Sequence, residues 1–187
     1  MATTDVSICN GALIMVGAND INSFSDNTIE AKLCNSIYGD TKRTLLQYHP
    51  WRFSLKQFDL GGALVAAPEF DWDLQYQLPP DLLRIIRMKN DVDYEIFGEQ
   101  LYTNEDTAEI IYQYEPNESD LPSYFIRALQ FHLARVFSMS LQEDSNKMQI
   151  FDRAADKETA RARQLDAQSQ PNMKIPEKNF SLINVRQ

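Results

Sequence analysis

The spacing of apolar residues changes twice along the chain, and this change constrains the fold more than any other feature. Residues 1–50 and 119–168 carry apolar side chains three and four positions apart, as on one face of a helix. Residues 51–118 contain stretches in which apolar and polar residues alternate, as in half-buried strands. The sequence therefore predicts an α+β fold, mainly α: a bundle of about four helices, with a small antiparallel sheet inserted between helices 2 and 3, and an extended C-terminal arm.

Capping signals indicate where the first two helices begin and end. The first helix is predicted to start after Thr3 or Thr4 and to stop at Gly17, which favours a left-handed C-cap. Asn27 and Glu30 form a plausible capping box for the second helix. Its predicted apolar stripe consists of Ile29, Leu33, Ile37 and Leu45.

The third and fourth helices differ in character. Leu121–Leu141, with a cap from Ser119 or Asp120, is apolar nearly all round and is expected to be the central helix. Ser145–Gln168 is the most charged helix of the chain. Its predicted inward-facing residues are Met148, Phe151, Ala155, Ala162 and Leu165.

The intervening segment predicts strands of one small sheet. Residues 72–78 alternate in polarity, and 82–88 are apolar on both faces. Gly98-Glu99 is a two-residue hairpin turn, and residues 110–114 supply the last strand. We expect helical parts 1–50 and 119–168 and the β insertion 51–118 to form a single domain, residues 1–168.

Beyond this domain the composition changes, and residues 169–187 are predicted to form the extended arm. Its apolar side chains need cover, either from their own domain or from another subunit through strand addition. The predicted contacts with a partner or neighbouring subunit are Phe180, Leu182, Ile183, Val185 and Arg186.

Charge and hydropathy narrow the functional classes. The 18 basic residues against 27 acidic ones give a net charge of −9, which argues against gripping nucleic acid as the main activity. No apolar run approaches the roughly 20 residues that span a bilayer, and the N-terminus does not resemble a signal peptide. We therefore expect a soluble protein made in the cytoplasm.

The cysteines and histidines favour packing over metal binding. Cys9 and Cys34 are predicted to be free, buried thiols on separate helices. With His49 and His132 they lack the paired spacing of a zinc site, and His132 is predicted to be a hydrogen-bonded core histidine. The sequence predicts no metal and no cofactor.

Two acidic clusters are candidates for catalytic carboxylates or calcium ligands. They consist of Glu69, Asp71 and Asp73, and of Asp91, Asp93 and Glu95. In each cluster the acids alternate with apolar residues, as on the solvent face of a strand. Gly61-Gly62 fails as a phosphate loop and indicates a turn, and no nucleophile motif is present. The sequence therefore predicts that the chain is not an enzyme.

One basic ridge stands out on the acidic chain. Arg153, Lys157 and Arg161 recur every four residues along the fourth helix, where neighbouring like charges destabilise it by a few tenths of a kcal/mol. Asp152, Asp156 and Glu158 nearby would neutralise a solvated face. An acidic patch of a neighbouring subunit is the alternative partner, and a DNA-binding stripe is third because aromatic residues are not interleaved.

Four stretches, taken in order, resemble a known family over nearly the whole chain. They are Asn10-Gly11-Ala12-Leu13 with Val16-Gly17 and Ile21-Asn22-Ser23-Phe24; Glu30-Ala31, Cys34, Tyr38, Leu45-Leu46 and His49-Pro50-Trp51-Arg52-Phe53; Tyr76-Gln77-Leu78-Pro79-Pro80-Asp81 with Leu83-Arg84 and Ile111-Tyr112-Gln113-Tyr114; and Leu129 with Leu133-Ala134 before the charged helix. This order resembles the tail tubular protein A family, the head-to-tail adaptors of short-tailed bacteriophages. The C-terminal arm departs from the tryptophan-containing arm common in that family.

The resemblance implies a structural virion protein of the phage neck and tail. About twelve copies would form a ring that joins the portal protein to the tail nozzle, tubular protein B, with tail fibres or spikes as further candidate partners. The ring would enclose the DNA channel without sequence-specific binding and without a membrane. A negative lumen would let the genome slide without being held.

Two other functions stay open at this point. Adaptors of this kind have been credited with degrading the bacterial cell wall, so a peptidoglycan hydrolase using paired carboxylates is the alternative. A regulatory binding module would predict a stable monomer or dimer with a small-ligand pocket, and nothing in the sequence favours it.

Overall fold

A computed structural model describes residues 3–169 of the protein except residues 65, 67 and 69. Of the described residues, 52% are helical and 18% lie in strands, so the predicted α+β fold with mainly helical content is confirmed. The predicted arm, residues 169–187, lies outside the described residues apart from Ser169. Among the described helices, none combines the length and apolarity that crossing a membrane requires.

Two helices precede the strands and two follow them, as the change in periodicity predicts. The elements in chain order are α1 Asp5–Val16, α2 Ile29–Tyr48, β1 Leu55–Asp59, β2 Leu74–Gln77, β3 Leu82–Met88, β4 Glu95–Phe97, β5 Gln100–Thr103, β6 Glu109–Tyr114, α3 Ser123–Gln142 and α4 Ser145–Gln168. The bounds predicted for α4 and β3 are confirmed, as is the hairpin turn between β4 and β5, where Gly98 adopts a φ of 62°.

The helix caps explain where the predicted ends are right and where they are wrong. The Thr4 side chain accepts a hydrogen bond from the Ser7 amide, and Gly17 ends α1 with a φ of 81°, as predicted. The predicted capping box at Asn27 is wrong by one residue, because the hydroxyl of Thr28 accepts from the Ala31 amide at 3.1 Å. The predicted caps of α3 are also wrong, since residues 118–120 form a short 3₁₀ turn and α3 begins after Pro122.

The buried faces of α2 and α4 differ from the predicted apolar stripes. Ile29 is 73% exposed, because the buried face of α2 follows smaller and amphipathic residues instead. This face consists of Ala31, Cys34, Tyr38, Lys42, Leu45 and Leu46. On α4, Met148 and Leu165 are exposed, while Thr159 and Asp166 are buried in helical register with Ala155. A stripe read from hydrophobicity alone omits buried polar residues that have partners.

The strands form two sheets and not the single sheet that was predicted. All pairs are antiparallel, and the strand orders are β1-β6-β3 in the first sheet and β2-β5-β4 in the second. Strand β1 escaped prediction because its residues Leu-Lys-Gln-Phe-Asp do not alternate in polarity. The predicted alternation also fails at Gln75, which is buried and whose side-chain amide donates a hydrogen bond to the Ala66 carbonyl.

Two hydrophobic clusters form the interior. The larger lies among the helices around Trp51, Phe125 and Phe137, and the smaller lies between the sheets around Tyr76 and Leu101. Helix α3 packs against α1, α2 and α4, which confirms its predicted central position.

Candidate functional sites on the helical body

The segment after α2 is locked into the helical core by Trp51. Its indole is fully buried, and Nε1 donates to the Leu45 carbonyl at 2.8 Å. The ring meets Phe125 of α3 edge to face, with 5.2 Å between centroids. Trp51 therefore fixes the point at which the chain leaves the helices and enters the first sheet.

Gln113 of β6 binds that same junction from the sheet side. Its side chain is buried, and Nε2 lies 2.7 Å from the Leu46 carbonyl, 2.9 Å from the His49 carbonyl and 3.0 Å from the Ser54 hydroxyl. Its Oε1 accepts from Arg84 Nε of β3 at 2.9 Å. One amide side chain thus satisfies the last carbonyls of α2 and joins the helices to the first sheet.

A buried carboxylate fixes the far end of α4 to this junction. Asp166 is 1% exposed and accepts from the Arg52 amide at 3.1 Å and from the Tyr124 hydroxyl at 2.8 Å. Burial and the hydrogen bond to Asp166 raise the pKa of Tyr124. His49 Nε2 lies 3.9 Å from the carboxylate, but burial and the charge of Arg163 lower the pKa of His49, so this contact is not an ion pair near neutral pH.

A second buried charge ties α2 to the segment before α3. Lys42 is 4% exposed, and its Nζ lies 2.8 Å from Glu118 and 3.5 Å from Glu115. Burial alone would raise the pKa of Glu118, but hydrogen bonds from Lys42 and from its own backbone lower the pKa below its ordinary value. Arg43 binds Glu115 from the solvent side at 2.9 Å. Because the ammonium has two acidic neighbours, its burial is compensated.

Asn10 of α1 holds the loop that precedes α2. Its side-chain amide donates to the Ile21 carbonyl at 2.8 Å and accepts from the Ile21 amide at 2.9 Å.

Asp81, directly before β3, joins the three strands of the first sheet. Its carboxylate accepts from the Tyr112 hydroxyl of β6 at 3.0 Å and from Lys56 of β1 at 2.9 Å. Residues of the stretches that carry the family resemblance therefore lie at the joints between elements.

The three cations of the basic ridge lie on the outward side of α4. Arg153, Lys157 and Arg161 are all exposed, and the helical repeat places them opposite the buried face at Ala155 and Ala162. None of the three forms an ion pair with another described residue.

The expected neutralisation of that ridge is only partly available. Asp152, one of the three acids expected to compensate it, instead pairs with Arg135 of α3 at 2.9 Å. Asp156 lies on the side of α4 that borders a groove. The ridge is therefore a basic surface on an acidic protein, which suits contact with an acidic partner.

A groove of about 700 Å³ runs between α2 and α4 over α3. Its apolar lining includes Ile37, Leu45, Val136 and Ala160, and Asp40, Asp156 and Arg163 add charge along it. Tyr48, at the end of α2, also lines the groove and is 69% exposed. A concave surface that combines apolar side chains with polar and charged ones has the character of a binding site.

His132 lines the same groove. Its Nε2 lies 2.9 Å from the Thr159 hydroxyl, so the predicted hydrogen-bonded ring is confirmed, although the side chain is half-buried at the groove and not within the core. Burial and the neighbouring charge of Arg135 lower the pKa of His132. The imidazole is therefore neutral near neutral pH. Because burial lowers its pKa, further covering of the groove would lower that pKa more.

Cys9 and Cys34 are free and buried, as predicted. A hydrogen bond with Cys34 and burial raise the pKa of Cys9, so this thiol is poorly suited to nucleophilic chemistry. Within the described part of the chain, no three His, Cys, Asp or Glu side chains converge as metal ligands.

Four of the described cluster acids, Asp71, Asp73, Asp91 and Asp93, lie outside strands, so for them the interpretation as solvent faces of strands is wrong; Glu95 does lie in β4. Asp71 and Asp91 adopt positive φ values of 66° and 51°, which are incompatible with extended strand backbone. With Asp93 and Glu105 they line a depression of about 430 Å³. Asp73 precedes β2, and Glu69 lies outside the described residues.

Asp166, Gln113 and Lys42 escaped prediction as joint residues. A signal for Asp166 exists in the sequence, since it continues the three- and four-residue spacing of Ala155, Thr159 and Ala162 along α4. The predicted contacts Phe180, Leu182, Ile183, Val185 and Arg186 lie outside the described residues.

Neither the scan against family models nor the search of curated proteins gave a match for this chain.

Proposed function

We propose that the chain is a structural subunit of the neck of a short-tailed bacteriophage, an adaptor that forms a ring between the portal protein and the tail nozzle. The proposal rests on the resemblance of four stretches to the tail tubular protein A family. The observation that carries it is the joint at Asp166, where the Trp51-Arg52 segment from the most distinctive stretch is held against α3 and α4. Residues of the stretch that carries the resemblance therefore hold α3, α4 and the entry to the first sheet together.

Joint residues support a structural role for these stretches. Trp51, Gln113, Asp81 and Asn10 each bind another part of the chain, and Trp51 and Gln113 are fully buried. Residues that join separate elements in this way favour a structural role for the chain in a virion. In this proposal the chain is a component of the virion and not an enzyme.

The outward basic ridge is the proposed contact between neighbouring subunits. A ring requires two different surfaces on each subunit, one that donates and one that accepts. Arg153, Lys157 and Arg161 supply a basic surface on a chain whose net charge is −9, so a neighbour offers an acidic surface to it. The negative net charge also suits a channel through which DNA slides.

The proposed partners follow from the family. The portal protein and the nozzle protein, tubular protein B, would lie on the two sides of a ring of about twelve copies, and tail fibres or spikes are further candidates. Phe180, Leu182, Ile183, Val185 and Arg186 are the proposed contacts of the arm with the portal or with a neighbour.

Native mass spectrometry of the chain with the portal ring of its phage tests the proposal. We expect many copies, near twelve, to add to one portal ring. Replacing Arg153, Lys157 and Arg161 with glutamate should abolish the addition. The same change at Lys32, Arg87 and Lys147, which are exposed and form no ion pair with another described residue, should preserve it. A chain that neither binds the portal nor forms a ring under any condition would refute the adaptor function.

A cell-wall hydrolase is the second candidate, because Asp71, Asp91, Asp93 and Glu105 line one depression. Glycoside hydrolysis needs two carboxylates at the scissile bond. Asparagine at the three aspartates should then remove turnover of purified peptidoglycan. If the unsubstituted protein produces no turnover, this candidate is eliminated whatever the portal assay gives.

A further inference from the structure

The groove between α2 and α4 exposes apolar surface that the described residues leave uncovered. Half-buried Ile37 of α2 and Val136 of α3 contribute to it, as does the exposed Ala160 of α4, whereas Leu45 is already buried at the base of the groove. From Ile37 to Tyr48 the helical rise gives the groove a length of about 16 Å. That length accommodates about five residues of extended chain.

The last described residues lie close to this groove. Arg163 is the final residue of α4 that lines it, and the six positions from there to Ser169 rise about 9 Å along the axis. Asp166 fixes this end of the helix to Tyr124 and Arg52, so the point from which the chain continues is defined. Eighteen further residues, 170–187, begin there.

The eighteen residues 170–187 include apolar side chains that can cover the groove, and their net charge is opposite to that of residues 1–169. They contain the apolar residues Phe180, Leu182, Ile183 and Val185. They carry Lys174, Lys178 and Arg186 against Glu177, a net charge of +2, which leaves −11 for residues 1–169. The arm and residues 1–169 are therefore opposite in net charge, whereas within the groove Asp40 and Asp156 are balanced by Arg135 and Arg163.

The reach of the chain is sufficient. Residues 170–179 span up to about 33 Å when extended, whereas the way back from Ser169 to Asp156 along α4 is about 20 Å. A short tether also holds its end at an effective concentration in the millimolar range, above that of any second copy at micromolar protein. The reach and the tether both favour the chain's own arm as the occupant of the groove.

We propose that the groove binds the chain's own C-terminal arm, with the apolar residues at 180–185 against Ile37, Val136 and Ala160. The inference concerns the free protein and does not depend on the adaptor function. In an adaptor, the arm leaves the groove before it contacts the portal or a neighbour.

Histidine NMR of the full chain and of a chain truncated after Ser169 tests this inference. Only two histidines are present, so the His132 signals are readily assigned. We expect its ring resonances to differ between the two proteins and its pKa to be lower in the full chain, because the arm buries the ring further. Adding a peptide of residues 170–187 to the truncated chain should restore the full-chain spectrum. Identical His132 signals in both proteins would overturn the proposal, as would a difference that grows with protein concentration, which indicates a second copy.

Substitutions in the full chain give an independent readout. Thr44→Arg with Ala160→Arg places two long cationic side chains in the groove, where both positions are exposed. Trypsin should then cut after Lys174 and Lys178 several-fold faster. The matched control is Gln47→Arg with Gln164→Arg, on the exposed surfaces of the same helices outside the groove lining. Equal cleavage rates of the two double variants would contradict the proposal.

Discussion

The Asp166 carboxylate of α4 accepts a 2.8 Å hydrogen bond from the Tyr124 hydroxyl of α3, although Asp166 is 1% exposed. The same carboxylate accepts from the Arg52 amide, so a buried negative charge holds together two helices and the segment that enters the first sheet. A buried carboxylate is tolerated where several donors satisfy it, and removing it leaves those donors without partners.

Asp166→Ala is therefore expected to lower the free energy of unfolding by about 3 kcal/mol, because the Tyr124 hydroxyl and the Arg52 amide lose their acceptor. Tyr124→Phe removes one donor and should cost about 1 to 2 kcal/mol. Urea unfolding followed by circular dichroism measures both changes. Gln164→Ala on the exposed surface of the same helix, outside the groove, is the control, and a loss in the control equal to that of Asp166→Ala would contradict the prediction.

Lys42 and Arg43 are adjacent and both bind Glu115, yet they should behave differently. Lys42 is buried between Glu115 and Glu118, so Lys42→Ala should lower the free energy of unfolding by about 2 kcal/mol through loss of a compensated buried charge. The Arg43 side chain is 60% exposed, and Arg43→Ala should be much milder because solvent screens the pair. Comparable losses in the two variants, measured by chemical denaturation, would refute this difference.

Gly11 lies where α1 approaches α3, and a methyl group added there would meet the side-chain amide of Gln130. Since that amide is the end of a flexible side chain, Gly11→Ala alone should have little net effect. In a Gln130→Ala background the clash is absent, and Gly11→Ala should stabilise the protein by up to about 1 kcal/mol through helix propensity. Thermal unfolding of the four proteins of this cycle checks the prediction, and destabilisation in the Gln130→Ala background would contradict it.

Stability should fall on mild acidification. The pKa values of His49 and His132 are lowered from 6.5, mainly by burial, so the unfolded chain binds more protons than the folded protein in this range. The free energy of unfolding therefore rises with pH in this range. The stabilisation linked to the two histidines is fully present above about pH 6.5 and declines as the pH falls from 6.5 towards their lowered pKa values.

Urea unfolding at pH 7.5 and 5.0 should detect this decline. His132→Gln should reduce it, because one of the two titrating groups is removed. The lowered pKa values of Asp81 and Glu118 act in a separate window, since the stability they contribute is lost only below their ordinary values of 3.8 and 4.5. Stability that increases between pH 7.5 and 5.0 would contradict the assignment.

The sequence predicts the elements better than their contacts. The ends of α1 and α4 are predicted because capping residues such as Thr4 and Gly17 act locally. The division of the strands into two sheets is not predicted, because pairing of β6 with β1 and β3 depends on residues far apart in the chain.

The candidate sites follow the same division between local and long-range features. The ridge of Arg153, Lys157 and Arg161 is predicted from helical repeat alone, and its exposure agrees. The groove is not predicted, because it exists only where α2 and α4 pack on α3 with a space between them. Asp166 is missed because its burial depends on Tyr124 and Arg52, which lie 42 and 114 residues away in the sequence.

Gln113 also determines how the molecule comes apart. Its amide contacts two carbonyls at the end of α2 and the hydroxyl of Ser54, so the first sheet cannot separate from the helices without breaking these hydrogen bonds at once. Amide protons of β6 and of the last turns of α2 should therefore exchange with deuterium at a common rate, as one cooperative unit. We therefore expect the two hydrophobic clusters to unfold together, because the buried Gln113 side chain links the first sheet to the helices.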